Sequence, residues 1–372
     1  MFDRKLWRSF DFLLLLIAIL LTGYGLLLLY STSLTSLGVS GSMIDLPFLR
    51  QSIYLAIGLV LLVVAAAINY RMYASVYLYL YVTVIVLLIG VIVVGDLTHG
   101  ARRWYDLHYF QLQPSEPAKV VLIISLAAFL SGKKTHVTKW HTFVISGLFL
   151  APLMGLTYLQ PDVGTIVVFT SIWLGMVIIA GVRLLYLGML GAVVAALLPV
   201  IYLFGLRGYM RERLITFLDP TVDRFGEGYN VLQSTISVGS GGLFGKGFGN
   251  GTQTQLHFLR VQHTDFIFSV LGEEFGFVGA AVLFCLYIFL LFRFIRTASR
   301  SSDTFGRLLA TGMCVMILAQ AFINVGVNIR LLPVTGIPLP FISYGGSSLL
   351  TLFICLGIVE SVAMHHRRLA FS

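Results

Sequence analysis

Residues 12–30 read FLLLLIAILLTGYGLLLLY, an apolar run with no charged side chain. A bilayer core about 30 Å thick is crossed by roughly 20 such residues in a helix. No small-residue cleavage pattern accompanies the run, so it reads as a first transmembrane helix and not as a signal peptide. The rest of the chain continues in the same way. Of 372 residues, 58% are hydrophobic and 11% charged, with a mean hydropathy of +0.92. A soluble domain carries about 25% charged residues. Apolar runs predict spans near 11–31, 50–69, 73–95, 115–131, 141–158, 163–181, 184–206, 265–292, 306–328 and 338–363. The expected fold is therefore an all-α integral membrane protein, a polytopic bundle of about ten transmembrane helices. It forms one domain over residues 1–372, with a large extracytoplasmic loop between spans 7 and 8.

The net charge of +9 would point a soluble protein toward nucleic acid. Here the positive-inside bias accounts for much of it. Arg4, Lys5 and Arg8 precede the first span, and Arg71 lies between the second and third. Lys133, Lys134 and Lys139 follow the fourth, Arg183 the sixth, and Arg293, Arg296, Arg300 and Arg307 the eighth. Arg367 and Arg368 come last. All fall on one side, which the rule makes cytoplasmic, together with both termini. The opposite short loops, 32–49 and 159–162, contain no Lys or Arg. The longer segments 96–114 and 207–264 then face outward. Cys285, Cys314 and Cys355 lie in apolar runs without CxxC or metal-ligand spacing and read as small hydrophobes.

The polar groups concentrate on the outer face. Gln262-His263-Thr264-Asp265-Phe266-Ile267-Phe268 places a carboxylate where water-facing chain turns into an apolar helix. Glu273 and Glu274 follow; on a continuous helix Glu273 falls within about a quarter turn of Asp265, and Glu274 points nearly opposite. His263 has no activated Ser or Cys beside it, so no nucleophilic triad is read. In Gln113-Pro114-Ser115-Glu116-Pro117-Ala118-Lys119 the prolines suit a first helical turn. Ser115 or Glu116 could satisfy free amides there. Glu116 and Lys119 share a face, either as an internal ion pair or lining an outward cavity. Gln160-Pro161-Asp162-Val163-Gly164-Thr165 opens a second helix at the same membrane face. Asp162 is either an N-cap or a ligand for a divalent cation.

Arg102 and Arg103, beside Trp104, read as phosphate binders or as interfacial anchors. Arg207, Arg211, Arg213, Arg224 and Lys246 stand in the outer segment, and arginine forks match phosphate oxygens. The glycine run from Gly239 to Gly251 would let backbone amides approach an anion, although a flexible loop is the plainer reading. It is not a Walker motif, because Ser240 and Gly247 occupy required positions. Pro338-Leu339-Pro340 followed by Gly345-Gly346 interrupts or opens the last span, and broken helices occur in membranes where protein or a wet cavity covers the backbone.

Together these segments resemble the SEDS family of bacterial envelope proteins (shape, elongation, division and sporulation). The matching stretches are Gln113–Glu116 with Lys119, Gln160–Thr165, Leu218-Asp219-Pro220, Gly239–Gly249, His263–Phe268 with Gly272-Glu273-Glu274, and Leu332–Ser347. Gly251–Gln255 is more similar to elongation members than to division members. Arg260 departs from the pattern, which has Pro after Phe-Leu. The resemblance implies a peptidoglycan glycosyltransferase that polymerises lipid II on the outer face of the cytoplasmic membrane, with a class B penicillin-binding protein, a transpeptidase, as partner. It makes Asp265 the catalytic general base. Arg211 and Lys246, with Arg50 and Arg102, are the candidates to neutralise the leaving pyrophosphate, with Mg²⁺ or Mn²⁺ as a candidate cofactor. Glu116, Lys119 and Asp162 would shape the cavity. The competing class is a lipid II flippase; a scaffold for the transpeptidase is a third.

Overall fold

The computed structural model describes residues 9–33, 47–98, 101–106, 110–133, 137–200, 205, 208–223, 226–256, 258–259 and 262–365. Arg4, Lys5, Arg8, Lys134, Arg207, Arg224, Arg260, Arg367 and Arg368 lie outside the described residues. The apolar runs form α1 (Phe12–Ser33), α2 (Pro47–Ala67), α3 (Tyr70–Val94), α4 (Ser115–Gly132), α5 (Trp140–Leu159), α6 (Val163–Ala180) and α7 (Leu184–Val200). The outer segment folds as α8 (Gly208–Leu218), a 3₁₀ turn (Pro220–Val222), α9 (Glu227–Ser240) and α10 (Thr252–Gln255). The chain closes with α11 (Ile267–Arg300), α12 (Thr304–Asn328) and α13 (Gly346–His365). Among the described residues, 9 helices are long and apolar enough to cross a membrane. The seventh predicted span, 184–206, is α7 together with residues partly outside the described ones.

Side-chain capping sets several boundaries. Asn69 accepts from the Arg71 amide before α3, Asp162 from Thr165 before α6, and Asp303 from Gly306 before α12. Gly181, at φ 92°, ends α6 by returning its amide to Ile178 and Val177, the left-handed stop that glycine favours.

The most buried helices are α4, α12 and α13, whose apolar windows are 72%, 67% and 83% buried, against 17% for α3. A Cβ on Gly357 of α13 would meet the Leu62 backbone of α2, so a small residue lets these helices approach closely. By contrast α7 is exposed along most of its length. It is held near its start, where Tyr186 packs on Trp140 and Phe143.

Two expectations are corrected, and one outer loop gains detail. The last span does not begin at 338, because residues 329–345 are non-helical and α13 starts at Gly346. Pro338 and Pro340 remove amides that a helix there would need. Within the helical fold the outer loop 96–114 carries three short strands: β1 (Asp96–Thr98), β2 (Ala101–Asp106) and β3 (Gln111–Leu112) make an antiparallel sheet in that order. Asp265 does not lie on α11 but in the turn before it.

One end of the bundle gathers charged groups from distant elements. Arg293 pairs with Asp11, and the Asp11 amide donates to Glu360 at 2.9 Å. The Tyr70 hydroxyl and Arg71 Nε donate to Asp303 at 2.7 and 3.0 Å. The start of α1, the α2–α3 and α11–α12 turns and the end of α13 thus share an end, as the grouping of basic residues requires.

Burial disfavours the charged form of Asp303. The Gly306 amide, Tyr70 hydroxyl and Arg71 guanidinium outweigh that and hold its carboxyl below the ordinary value. A depressed folded value means stability that is present above the unfolded value, about 3.9 for Asp, and lost as pH falls through the folded one. The melting midpoint is therefore expected to drop below about pH 4, and Asp303→Asn to flatten that part of the curve. Thermal melting of both proteins across pH checks this.

Candidate active site

Asp265 is half-buried in the turn 262–266 at the other end of the bundle. The turn is fixed through its backbone. Asn324 and Asn328 of α12 donate side-chain amides to the Asp265 carbonyl at 3.0 and 2.8 Å. Ser343 Oγ reaches the Thr264 carbonyl at 2.6 Å, and the Tyr344 amide reaches the His263 carbonyl at 2.9 Å. Thr32, at the end of α1, meets His263 Nδ1 at 2.9 Å.

The non-helical segment between α12 and α13 forms a wall beside the carboxylate. A Cβ on Gly336 would stand 3.8 Å from Asp265 Oδ2. On its other side the segment meets α6, where a Cβ on Gly164 would crowd the Thr335 carbonyl. Its buried backbone finds partners: Tyr287 donates to Pro340 at 2.6 Å, Asn324 to Ile337 at 2.9 Å and Gln51 to Ser343 at 3.1 Å. This meets the requirement for irregular chain at membrane depth, protein cover with polar groups satisfied.

Asp162 stands at the start of α6, on the far side of this wall. Its Oδ1 accepts from the Thr165 amide at 3.1 Å and its Oδ2 from the Thr165 hydroxyl at 2.7 Å, with 4% of the residue exposed. Among the described residues no three His, Cys, Asp or Glu side chains converge as a metal site. Among the described residues there is thus no all-protein cage for Mg²⁺ or Mn²⁺, and Asp162 is a helix cap with both oxygens engaged by Thr165. Asp162→Ala is expected to cost about 0.5–2 kcal/mol, read as a lower melting midpoint that EDTA and Mn²⁺ leave unchanged. A wild-type midpoint that falls in EDTA while the variant's does not would restore the metal reading.

Glu116 and Lys119 pair with each other at 2.7 Å, with side chains 4% and 0% exposed. Neither Ser115 nor Glu116 caps α4; the residue at the cap is Pro114, with no side-chain bond. Instead the Gln113 amide donates to Ser347 at 3.0 Å.

The outer-segment candidates divide. Lys246 Nζ donates to Glu273 at 2.7 Å and to Thr252 at 2.9 Å, so its charge is taken up by a carboxylate. The same Glu273, 0% exposed, accepts from the amides of Gln253 and Thr254 at 3.0 and 3.2 Å, closing the start of α10. Glu274 takes the Ser31 hydroxyl. Glu273 therefore serves α10 and Lys246, and does not form a same-face pair with Asp265. Arg102 is exposed on β2 and donates to the Val93 carbonyl at 3.0 Å. Its neighbour Arg103 turns inward and donates to the Gln160 carbonyl at 2.8 Å and to Pro161. Strand alternation could have separated the two arginines, had a strand been read. Arg50 is half-buried in the first turn of α2, beside Tyr54, and Arg211 is half-buried on α8.

The glycine run is not an open loop awaiting an anion. The amides of Lys246 and Gly247 donate to the carbonyls of Glu273 and Glu274 at 2.9 and 3.0 Å. In return the carbonyls of Gly242 and Leu243 accept from Phe277 and Val278 at 2.9 and 3.0 Å. The run thus bridges a break in α11 at Gly276, φ 63° and ψ −157°. Gly245 has φ 79°, and a Cβ there would collide with the Glu274 carbonyl, so both positions need glycine.

The family model for FtsW, RodA and SpoVE, described as cell cycle proteins, matches residues 11–368. The chain belongs to this family. It is the SEDS family of the motif resemblance. Relatives include the peptidoglycan glycosyltransferase MrdB of Escherichia coli K12, 38% identical over 96% of this chain and 95% of that protein. A probable peptidoglycan glycosyltransferase FtsW of Geobacter sp. strain M18 is 36% identical over 97% and 98%. A chain of a peptidoglycan synthase complex, solved for the coordination of polymerization and crosslinking, superposes with TM-score 0.79. It is 33% identical over 96% of this chain and 99% of that one. The Thermus thermophilus rod shape determining protein RodA gives TM-score 0.71 at 30% identity, over 96% and 97%. Within the SEDS fold, the Asp265 turn and the Pro338–Gly345 wall are where the family motifs meet.

Proposed function

We propose that this chain is a peptidoglycan glycosyltransferase of cell-wall elongation that polymerises lipid II, with Asp265 as the general base. The observation that carries the reading is a half-buried carboxylate in a turn clamped by Asn324, Asn328, Ser343 and Tyr344, within a family motif. The enzyme sits in a bacterial cytoplasmic membrane with both termini cytoplasmic and the Asp265 end outside. The excess of Lys and Arg at the opposite end supports that orientation.

The acceptor sugar's 4-hydroxyl attacks the anomeric carbon of the donor. Asp265 takes the hydroxyl proton, the new O–C bond forms, and the bond from that carbon to the phosphate oxygen breaks. Undecaprenyl pyrophosphate leaves, and the α-linked donor becomes a β-linked glycan. A base of this kind is worth about 10²–10⁴ in rate. Fixed cations lower the barrier by meeting charge as it develops on the leaving group. Arg50, Arg102, Arg211 and Lys246 are the candidates for that role; the Lys246 ammonium would have to share its contact with Glu273, and the Arg102 guanidinium its contact with the end of α3. No step runs through a resident metal. A class B penicillin-binding protein is the expected partner, in keeping with the synthase complex that this chain superposes on.

The test is glycan formation from purified lipid II by the full chain with its cognate transpeptidase in liposomes, read beside lipid movement between leaflets. EDTA and Mn²⁺ arms test for a cation carried by the pyrophosphate. Glycan strands support the reading. Leaflet exchange of lipid II without polymer would move the assignment to a flippase.

A further inference from the structure

Asn328 is the last residue of α12 and is 0% exposed. Its side-chain nitrogen donates to the carbonyls of Asp265 and Asn324 at 2.8 and 2.9 Å. Its Oδ1 accepts from the Ser269 amide at 3.1 Å and from the Ser269 hydroxyl at 2.6 Å. The orientation of the side chain is therefore fixed, because an amide N–H can only face oxygen. The Asn328 carbonyl in turn meets the hydroxyl of Ser234, on α9, at 2.9 Å. Ser234 and Ser269 lie 2.6 Å apart, and both are 0% exposed.

We propose that Asn328 is a positioning residue for Asp265, and that Ser269 and Ser234 hold it in register with the outer helix α9. This rests on the reading of Asp265 as the base. One side chain grips the carbonyl of the reacting residue and, through Ser269, the first turn of the helix that follows it. Asn324, one turn earlier on α12, holds the same carbonyl and also Ile337, next to the Gly336 wall. The Asp265 backbone and the surface beside its carboxylate are thus set by two neighbouring amides of one helix. A site built from a buried, mutually bonded set of this kind keeps its geometry. Rates are sensitive to that geometry, a displacement of about 1 Å costing about 10²-fold.

The test compares six full-length proteins in complex with the cognate transpeptidase: wild type, Asp265→Ala, Asn328→Asp, Ser269→Ala, Asp265→Glu and the Asp265→Glu/Asn328→Asp double variant. Asn328→Asp keeps size and the acceptor facing Ser269, but turns an oxygen toward the Asp265 carbonyl. Its kcat on lipid II is expected to fall about 10²-fold with KM unchanged, read at a temperature well below its melting midpoint, which the buried carboxyl facing two carbonyls lowers. In an Asp265→Glu background, where the carboxylate is already displaced, adding Asn328→Asp should cost far less than it does alone, because the two act as one unit. A folded Asn328→Asp enzyme with wild-type kcat, or with equal losses in both backgrounds, overturns the proposal while an inactive Asp265→Ala leaves the base intact. Activity in Asp265→Ala sinks the base itself. Should Asn328→Asp fail to fold, Ser269→Ala decides. A lower kcat at unchanged KM supports positioning, and an unchanged kcat refutes it.

Discussion

Purified Asp265→Ala protein is expected to make no detectable glycan from lipid II while melting at the wild-type temperature. The loss follows from the removal of the only proposed proton acceptor, a role worth about 10²–10⁴. Retained folding follows from where the clamp is applied. Ser343, Tyr344, Asn324 and Asn328 bond the backbone carbonyls of His263, Thr264 and Asp265, not the carboxylate. Truncation to alanine leaves those bonds in place. Asp265→Asn should be equally inactive, since it keeps shape and removes basicity. Strand formation by either variant at a rate near wild type would end the assignment.

Lys119→Met is expected to be the most damaging single change to stability. Its ammonium faces Glu116 at 2.7 Å, and neither side chain is more than 4% exposed. Breaking such a pair leaves a charge in a place water cannot reach, at a cost of about 3–5 kcal/mol. The Glu116→Gln/Lys119→Met double variant removes both charges and should recover most of that loss, because a buried pair replaced as a whole is often neutral in stability. Melting midpoints of the two single variants and the double complete the cycle. Additive losses would mean that the two residues do not act as a pair. Glycan synthesis by a folded double variant would separate a packing role from the substrate role that the family motif implies.

Much of the site was legible before the fold was known, and the failures share a cause. Asp265 stands out because a carboxylate at the start of an apolar run is a local feature. Asp162 carried two readings; the Thr165 hydrogen bonds show the cap, and the cation reading rests on the EDTA comparison. The Glu273 prediction failed because it assumed a helix running from Asp265, whereas Asp265 lies in the turn before α11, which begins at Ile267. Lys246 looked like a free cation because its partner is 27 positions away. Asn324 and Asn328 were missed although their spacing of one helical turn in an apolar span was visible. Nothing local said that they faced Asp265, 59 and 63 positions back.

The sequence by itself determined the membrane class, the approximate spans, the end on which the basic residues gather and the family. Each rests on composition or motif within a short window, where the cost of burying charge in lipid admits few alternatives. Only the tertiary structure decided which polar groups meet. The bridge from the glycine run to α11, the inward turn of Arg103 and the Asn328–Ser269–Ser234 cluster all join elements far apart in the chain. Buried polar groups must find partners wherever the fold brings one within about 3 Å, and no periodicity along the chain encodes that distance.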